Sequence, residues 1–419
     1  MPNRDSLIHD DPGPLTAGVP QSFRRARAAK HDAPTKPGVA ETAAPSVGFS
    51  FKLKPADIAR YLHRFVIGQN EAKKVLSVAL CDHFQHVRLT LEGRAALFYQ
   101  KQNVLLLGPT GVGKTHLIRS AAELIGVPFV KADATKFSET GYVGGDVDDL
   151  VRDLVRRAGG DVKKAEHGII YLDEVDKLAT RGESGGRDVS GRGVQTNLLK
   201  LMEDGDVPLV SPNDVNAQLQ SAMNAMRGGG AAQPETINTR HILFLVSGAF
   251  SGIAEFIRQR LAAAGPVAPE PRRSHKTSPT IDDLLQQVAT ADLINFGLEP
   301  EFIGRLPVRV ACHGLDTDDL FNVLRKSESS LLRQYERAFA AYGITCEFQD
   351  DGIRRLAELA ATENTGARGL MTICERVFRD FKFRLPSSRV RSFRVTGELV
   401  ENPAATLKKL LATNSPTQM

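Results

Sequence analysis

Eight consecutive residues at 108–115 constrain this chain more than any other stretch. Gly108, Pro109, Thr110, Gly111, Val112, Gly113, Lys114 and Thr115 follow the spacing GxxxxGK[ST]. The apolar run Val104 to Leu107 precedes them, and Lys114 to Ile125 has helical periodicity, so the segment reads as strand, tight loop and helix. Glycines let successive backbone N–H groups turn inward on phosphate oxygens, and the helix N-terminus adds its dipole to the same concavity. In such a cradle Lys114 reaches the β- and γ-phosphates, Thr115 offers a hydroxyl to Mg²⁺, and His116 opens the helix beside them. ATP with Mg²⁺ is the expected ligand. The flanking strand and helix weigh against the alternative, a Gly-rich turn that holds nothing.

Further short apolar runs, Phe129 to Val130, Ile169 to Leu172 and Ile242 to Val246, alternate with helical stretches. That alternation predicts an α/β fold with a parallel sheet covered by helices, the large domain of a P-loop NTPase. Helical spacing begins at Pro55 and resumes from Glu71 to about Leu89. Beyond Pro307 the pattern changes to a small α+β domain, with helices over 320–339, 353–361 and 370–383 and strands over 344–348 and 390–395. The expected organisation is a disordered, basic-clustered arm at 1–52, a large ATPase domain at 53–307, a small domain at 308–400 and a tail at 401–419. Two Gly-, Ala-, Pro- or Asn-rich stretches, Ser211 to Thr236 and Ala262 to Thr280, read as long loops.

The run Ile169 to Leu172 ends in two carboxylates, Asp173 and Glu174. Taken alone, an acidic pair after a strand is more often a helix cap. Downstream of a P-loop it fits phosphoryl transfer, with Asp173 in the metal shell and Glu174 polarising the attacking water.

Several segments together resemble ClpX, an AAA+ protein unfoldase family: Gly141-Tyr142-Val143-Gly144, Gly168 to Lys177, Arg187 to Gln195, Pro300 to Pro307 and Gly366 to Leu370. The likeness extends from about residue 53 to residue 397. It implies a homo-hexameric ring that hydrolyses ATP and draws protein substrates through a central pore. By the same resemblance Val66 and Ile67 contact adenine, Arg305 is the finger offered to a neighbouring subunit's γ-phosphate, and Arg368 senses nucleotide in its own subunit. Tyr142 and Val143 correspond to the pore loop that grips the substrate, and 187–195 to a second pore loop. For Arg305 or Arg368 in isolation a surface salt bridge is the commoner explanation, and Arg187 to Gln195 reads equally well as a solvated loop.

Composition excludes other classes. No apolar run approaches the roughly 20 residues needed to span a bilayer, and the N-terminus lacks a signal-peptide core. The four cysteines, Cys81, Cys312, Cys346 and Cys374, show no CxxC spacing, which argues for reduced thiols in a cytoplasmic protein and against zinc.

Three family features are missing from the sequence. Residues 1–52 contain no CxxC pair for the N-terminal zinc domain, 262–280 lacks the apolar tripeptide that docks the ClpP peptidase, and 211–236 lacks an Arg-Lys-His motif at the pore entrance. A ClpP-type partner is therefore not expected. This leaves as a second expectation an ATPase that disassembles a particular protein complex without a protease. A third is a nucleic-acid motor, suggested by a net charge of +5 and by Arg24, Arg25, Arg27 and Lys30; it predicts ATPase stimulation by DNA that falls with salt.

Overall fold

The computed structural model describes residues 49–94, 99–137, 145–179, 189–210, 235–263 and 279–413. The arm at 1–48, Tyr142 and Val143, and most of the two expected long loops lie outside the described residues.

Five parallel strands form the central sheet: β1 (Val104–Leu107), β2 (Phe129–Asp133), β3 (Ile169–Asp173), β6 (Leu243–Gly248) and β7 (Val308–Ala311), in the order β2-β3-β6-β1-β7. Between β3 and β6, β4 (Asp206–Pro208) and β5 (Thr236–Asn238) make a separate antiparallel pair. Because side chains alternate along a strand, each strand supplies both faces of the sheet. Leu105, Leu107, Ile170, Leu172, Phe244 and Val246 enter one core. Val104, Leu106, Ile169, Tyr171, Leu243 and Leu245 enter the other, against helices Pro55–Phe65, Asn70–Leu91 and Lys114–Ile125. A sheet covered on both faces accounts for near-continuous apolar strands.

The domain boundaries differ from expectation in three places. Phe51 is buried against Phe84, so the folded part already includes residues placed in the arm. Val308–Ala311, assigned to the small domain from sequence, instead pairs with Val104–Leu107 as the edge of the large sheet. The supposed tail is helical from Pro403 to Thr413, and Leu407 is buried in the small-domain core.

That core joins helices Thr317–Lys326, Leu331–Ala340, Asp350–Thr362 and Ala367–Arg384 to the parallel pair β8 (Thr345–Phe348) and β9 (Ser392–Val395). The single helix expected over 320–339 is two, broken at 327–330. Ser330 accepts from Leu332 N–H, and Ser327 donates to the Phe65 carbonyl at 2.7 Å. Serine side chains competing for backbone groups in this way end helices.

Residues 189–195 are also corrected, from loop to the start of a helix, Val189–Met202. Gly191 and Gly193 lower helix propensity, but tertiary contacts override it. Val194 and Leu198 are buried, and the Gln195 amide donates to Leu178 O and accepts from Glu299 N, both at 2.9 Å. Gly191 is needed for close approach, since a Cβ there would stand 2.7 Å from the Leu178 carbonyl.

Under the opposite end of the sheet from the phosphate loop, His83 is fully buried. Its Nε2–H donates to His241 O at 3.0 Å and its Nδ1 accepts from Tyr99 at 3.3 Å. Burial, with smaller contributions from Lys101 and neighbouring imidazoles, drives its pKa down to about 3. The unfolded chain therefore binds a proton below about pH 6.5 that the folded chain refuses, and stability falls with pH across the interval from 6.5 to 3. Between pH 6.5 and 5 His83 alone costs about 2 kcal/mol. Urea midpoints at the two pH values should differ accordingly, and the difference should shrink in His83→Gln; equal shifts in both proteins would contradict this account.

Candidate functional site

Lys114 sits at the turn from β1 into helix Lys114–Ile125, where the loop closes on itself. Its ammonium donates to the carbonyls of Gly108 and Pro109, at 2.5 and 2.7 Å. Burial lowers its pKa, with Asp173 and Asp176 opposing that shift. A cation satisfied only by two backbone carbonyls is poised to exchange them for phosphate oxygens, which bind it more strongly. Gly111, at φ +79°, is wedged under the small domain: a Cβ there would lie 2.1 Å from Thr365 O. Ala367 N donates to Gly111 O at 2.9 Å. Small-domain backbone thus touches the loop itself.

The C-terminal ends of β3 and β6 stand beside the loop, and three side chains contact Asp173 directly. Thr115 Oγ1 donates to Oδ2 at 3.1 Å, Ser247 Oγ donates to Oδ1 at 2.7 Å, and Lys131 Nζ lies 3.2 Å from Oδ2. The Tyr171 hydroxyl lies within hydrogen-bond reach of both Ser247, at 2.7 Å, and Thr115, at 3.1 Å. Burial pushes the Asp173 pKa up, but the bonds from Ser247, Lys131 and Thr115 outweigh it, and the net shift is downward. Asp173 is therefore a carboxylate throughout the neutral range. One carboxylate and one hydroxyl, both hard oxygen donors 3.1 Å apart, fit a Mg²⁺ that keeps its other positions for phosphate and water.

Glu174 follows with φ 60°, ψ 31°, a left-handed conformation unusual for a residue with a side chain. Its N–H donates to Asp173 Oδ1 at 3.1 Å. Strain of this kind concentrates at functional positions. Here it turns Glu174 out of the strand and into a cleft of about 400 Å³, lined also by Thr110, Lys114, Thr115, Asp173 and Arg368.

Arg368 enters that cleft because the small domain is tied to the large one along a seam. Arg64 forms a two-pronged pair with Glu328, at 2.6 and 2.8 Å, and His116 Nε2 lies 2.9 Å from Ser329 Oγ. His116, whose pKa burial lowers, lines the cleft as a neutral ring. Val66 is buried against the loop, in the same core as Val112. Ile67 is half-buried, and neither Val66 nor Ile67 lines this cleft.

Arg305 is elsewhere. It borders a separate cavity of about 510 Å³ with Tyr99, Lys101, Glu203, Asp204 and Arg240. Its guanidinium pairs with Glu203 at 2.5 Å, and Asn103 Nδ2 holds its carbonyl at 2.9 Å.

Sequence reasoning missed Ser247, Tyr171 and Lys131. A polar residue closing the apolar run Leu243 to Val246 was the available signal for Ser247, since ligands gather at the C-terminal ends of parallel strands. A tyrosine inside an apolar strand must find a partner for its hydroxyl when buried, which was the signal for Tyr171. Lys131 carried none.

Residues 99–309 match a family model described as AAA domain (Cdc48 subfamily). The chain is 39% identical over 362 residues to the ATP-dependent Clp protease ATP-binding subunit ClpX 3 of Methylococcus capsulatus, covering 84% of this chain and 81% of that protein. It is 40% identical over 355 residues to the ATP-dependent Clp protease ATP-binding subunit ClpX of Borrelia duttonii, covering 83% of this chain and 78% of that protein. The ClpX of Borrelia recurrentis matches to the same extent.

Proposed function

The chain belongs to the ClpX family of AAA ATPases and hydrolyses ATP, and on that premise we propose that it is a ring-forming, hexameric unfoldase which threads polypeptide through a central pore. The observation that carries this reading is the separation of Arg305 from the cleft of Lys114, Asp173, Glu174 and Arg368. A guanidinium that borders a different cavity serves a γ-phosphate only when a second copy brings its own cleft alongside.

In the assembled site Lys114 holds the β- and γ-phosphates, and Thr115 and Asp173 would hold Mg²⁺, which would supply positive charge against the phosphate oxygens. Glu174 accepts the proton of the attacking water, while Arg305 of the neighbouring copy stabilises charge on the transferring phosphoryl group. Arg368 reads the nucleotide in cis. Because Ala367 bonds the phosphate loop directly, a change in nucleotide state reaches the angle between the domains and so the pore. No helix among the described residues is long and apolar enough to cross a membrane, and the protein is proposed to work in the cytoplasm.

Replacing Tyr142 with Ala tests the threading step. ATPase turnover should persist within about twofold, while unfolding of a tagged fluorescent reporter should fall by at least tenfold, on the order of one lost gripping contact of about 1.4 kcal/mol. Unfolding at the unsubstituted rate would reject the pore-loop role. The sequence Gly265 to Pro271, where an apolar docking tripeptide is expected in the family, favours a second reading in which the ring remodels complexes without a peptidase. Co-purification with a peptidase would decide against it.

A further inference from the structure

Arg305 is tethered within its own chain. Its partner, Glu203, follows directly on helix Val189–Met202, and both side chains remain a little under half exposed, at 44% and 42%. Both backbones are fixed. Glu203 O accepts from Lys101 Nζ at 3.2 Å and Thr239 Oγ1 at 2.9 Å, and Arg305 O accepts from Asn103. The pair itself can therefore open without moving the main chain.

The same helix touches the segment leading to Arg305 at a second point. Arg192 Nε lies 3.0 Å from Glu299 Oε1, and Gln195 Oε1 accepts from Glu299 N at 2.9 Å. Glu299 begins the short helix Pro300–Gly304, which ends at Arg305. Helix Val189–Met202 thus grips both ends of that turn, and its own first residues fall in the 187–195 stretch that the family resemblance assigns to a second pore loop.

We propose that Glu203 is a positioning residue that latches Arg305 in cis and competes with the neighbouring subunit's γ-phosphate for the guanidinium. Only the unlatched fraction is competent to complete the neighbour's site, so the latch raises the ATP concentration needed for turnover. Polypeptide bearing on the first turns of helix Val189–Met202 perturbs the pair, whose side chains part by rotamer change, and relieves that restraint. The inference rests on the finger role proposed for Arg305 and names what regulates it.

The test is Glu203→Gln in the full chain, with steady-state ATPase measured against ATP concentration, with and without denatured casein. Half-saturating ATP should fall two- to fivefold without casein, the factor given by an exposed ion pair of about 0.5–1 kcal/mol. The maximal rate should stay within twofold, and stimulation by casein at low ATP should shrink. Glu203→Asp, which keeps the charge but shortens the reach, should move the same way by less and serves if the amide variant fails to fold. An unchanged or raised half-saturating ATP, or a lower maximal rate, overturns the latch. So does an equal shift in binding of a fluorescent ATP analogue when Glu203→Gln is placed on Arg305→Ala, because the effect would then not pass through Arg305. Full turnover in Arg305→Ala alone refutes the finger role instead, whatever Glu203→Gln does.

Discussion

Arg305→Ala lowers ATP turnover by about 10³- to 10⁵-fold, the range over which a guanidinium supplied to a transferring phosphoryl group acts. The size of the loss follows from where charge develops. The three equatorial oxygens of the γ-phosphoryl group carry it, and a preorganised cation beside them in a partly desolvated site stabilises the transition state more than the ground state. Within one chain Arg305 cannot do this, because it borders the cavity of Lys101, Glu203 and Arg240 and not the cleft of Lys114 and Glu174. Mixed rings give the decisive measurement. When Arg305→Ala subunits are mixed with intact ones, turnover per intact subunit should fall in proportion to the intact subunits whose neighbour lacks the guanidinium. Turnover per intact subunit that is independent of the mixing ratio would reject action across the interface, and a protein that stays monomeric at saturating ATP would reject the ring.

Glu174→Gln has the second-largest expected effect, a fall in hydrolysis of about 10²- to 10⁴-fold with nucleotide binding retained. The amide matches the carboxylate in shape but cannot take a proton from water. Binding should survive because the groups proposed to hold the nucleotide are elsewhere: the loop ending in Lys114 for phosphate and, for Mg²⁺, the Asp173 carboxylate fixed by Ser247, Thr115 and Lys131. The left-handed backbone at Glu174 depends on its own N–H bond to Asp173, which the substitution leaves in place. Fluorescent-ATP binding and phosphate release, measured on the same preparation, separate the two steps. Persistent phosphate release would show that another group activates the water.

How far the site could be read from sequence depended on how local its parts are. The phosphate loop was legible because strand, loop and helix are contiguous, and the chemistry of Lys114 and Thr115 follows from their spacing alone. Asp173 and Glu174 were legible because they end an apolar run downstream of that loop. The Ser247 and Lys131 contacts to Asp173 were not, because they require knowing that β6 and β2 flank β3. The strand Val308–Ala311 was misassigned for a related reason. Four residues of edge strand carry little periodicity, and their partners, Val104–Leu107, lie some two hundred positions earlier. At 189–195 two glycines suggested a loop, and only burial of Val194 and the two bonds of Gln195 make it helical.

The sequence by itself determined the reaction, because the phosphate loop and the carboxylates proposed as metal ligand and base lie in short segments whose backbone geometry is local. Only the tertiary structure decided which arginine borders which cavity. Arg305 and Arg368 have similar standing in sequence, each in a short Gly-flanked motif. Packing of the small domain on the loop at Gly111 carries Arg368 into its own cleft, whereas the sheet edge and Glu203 hold Arg305 in another cavity. That division depends on contacts between residues far apart in the chain, which close only when the core forms.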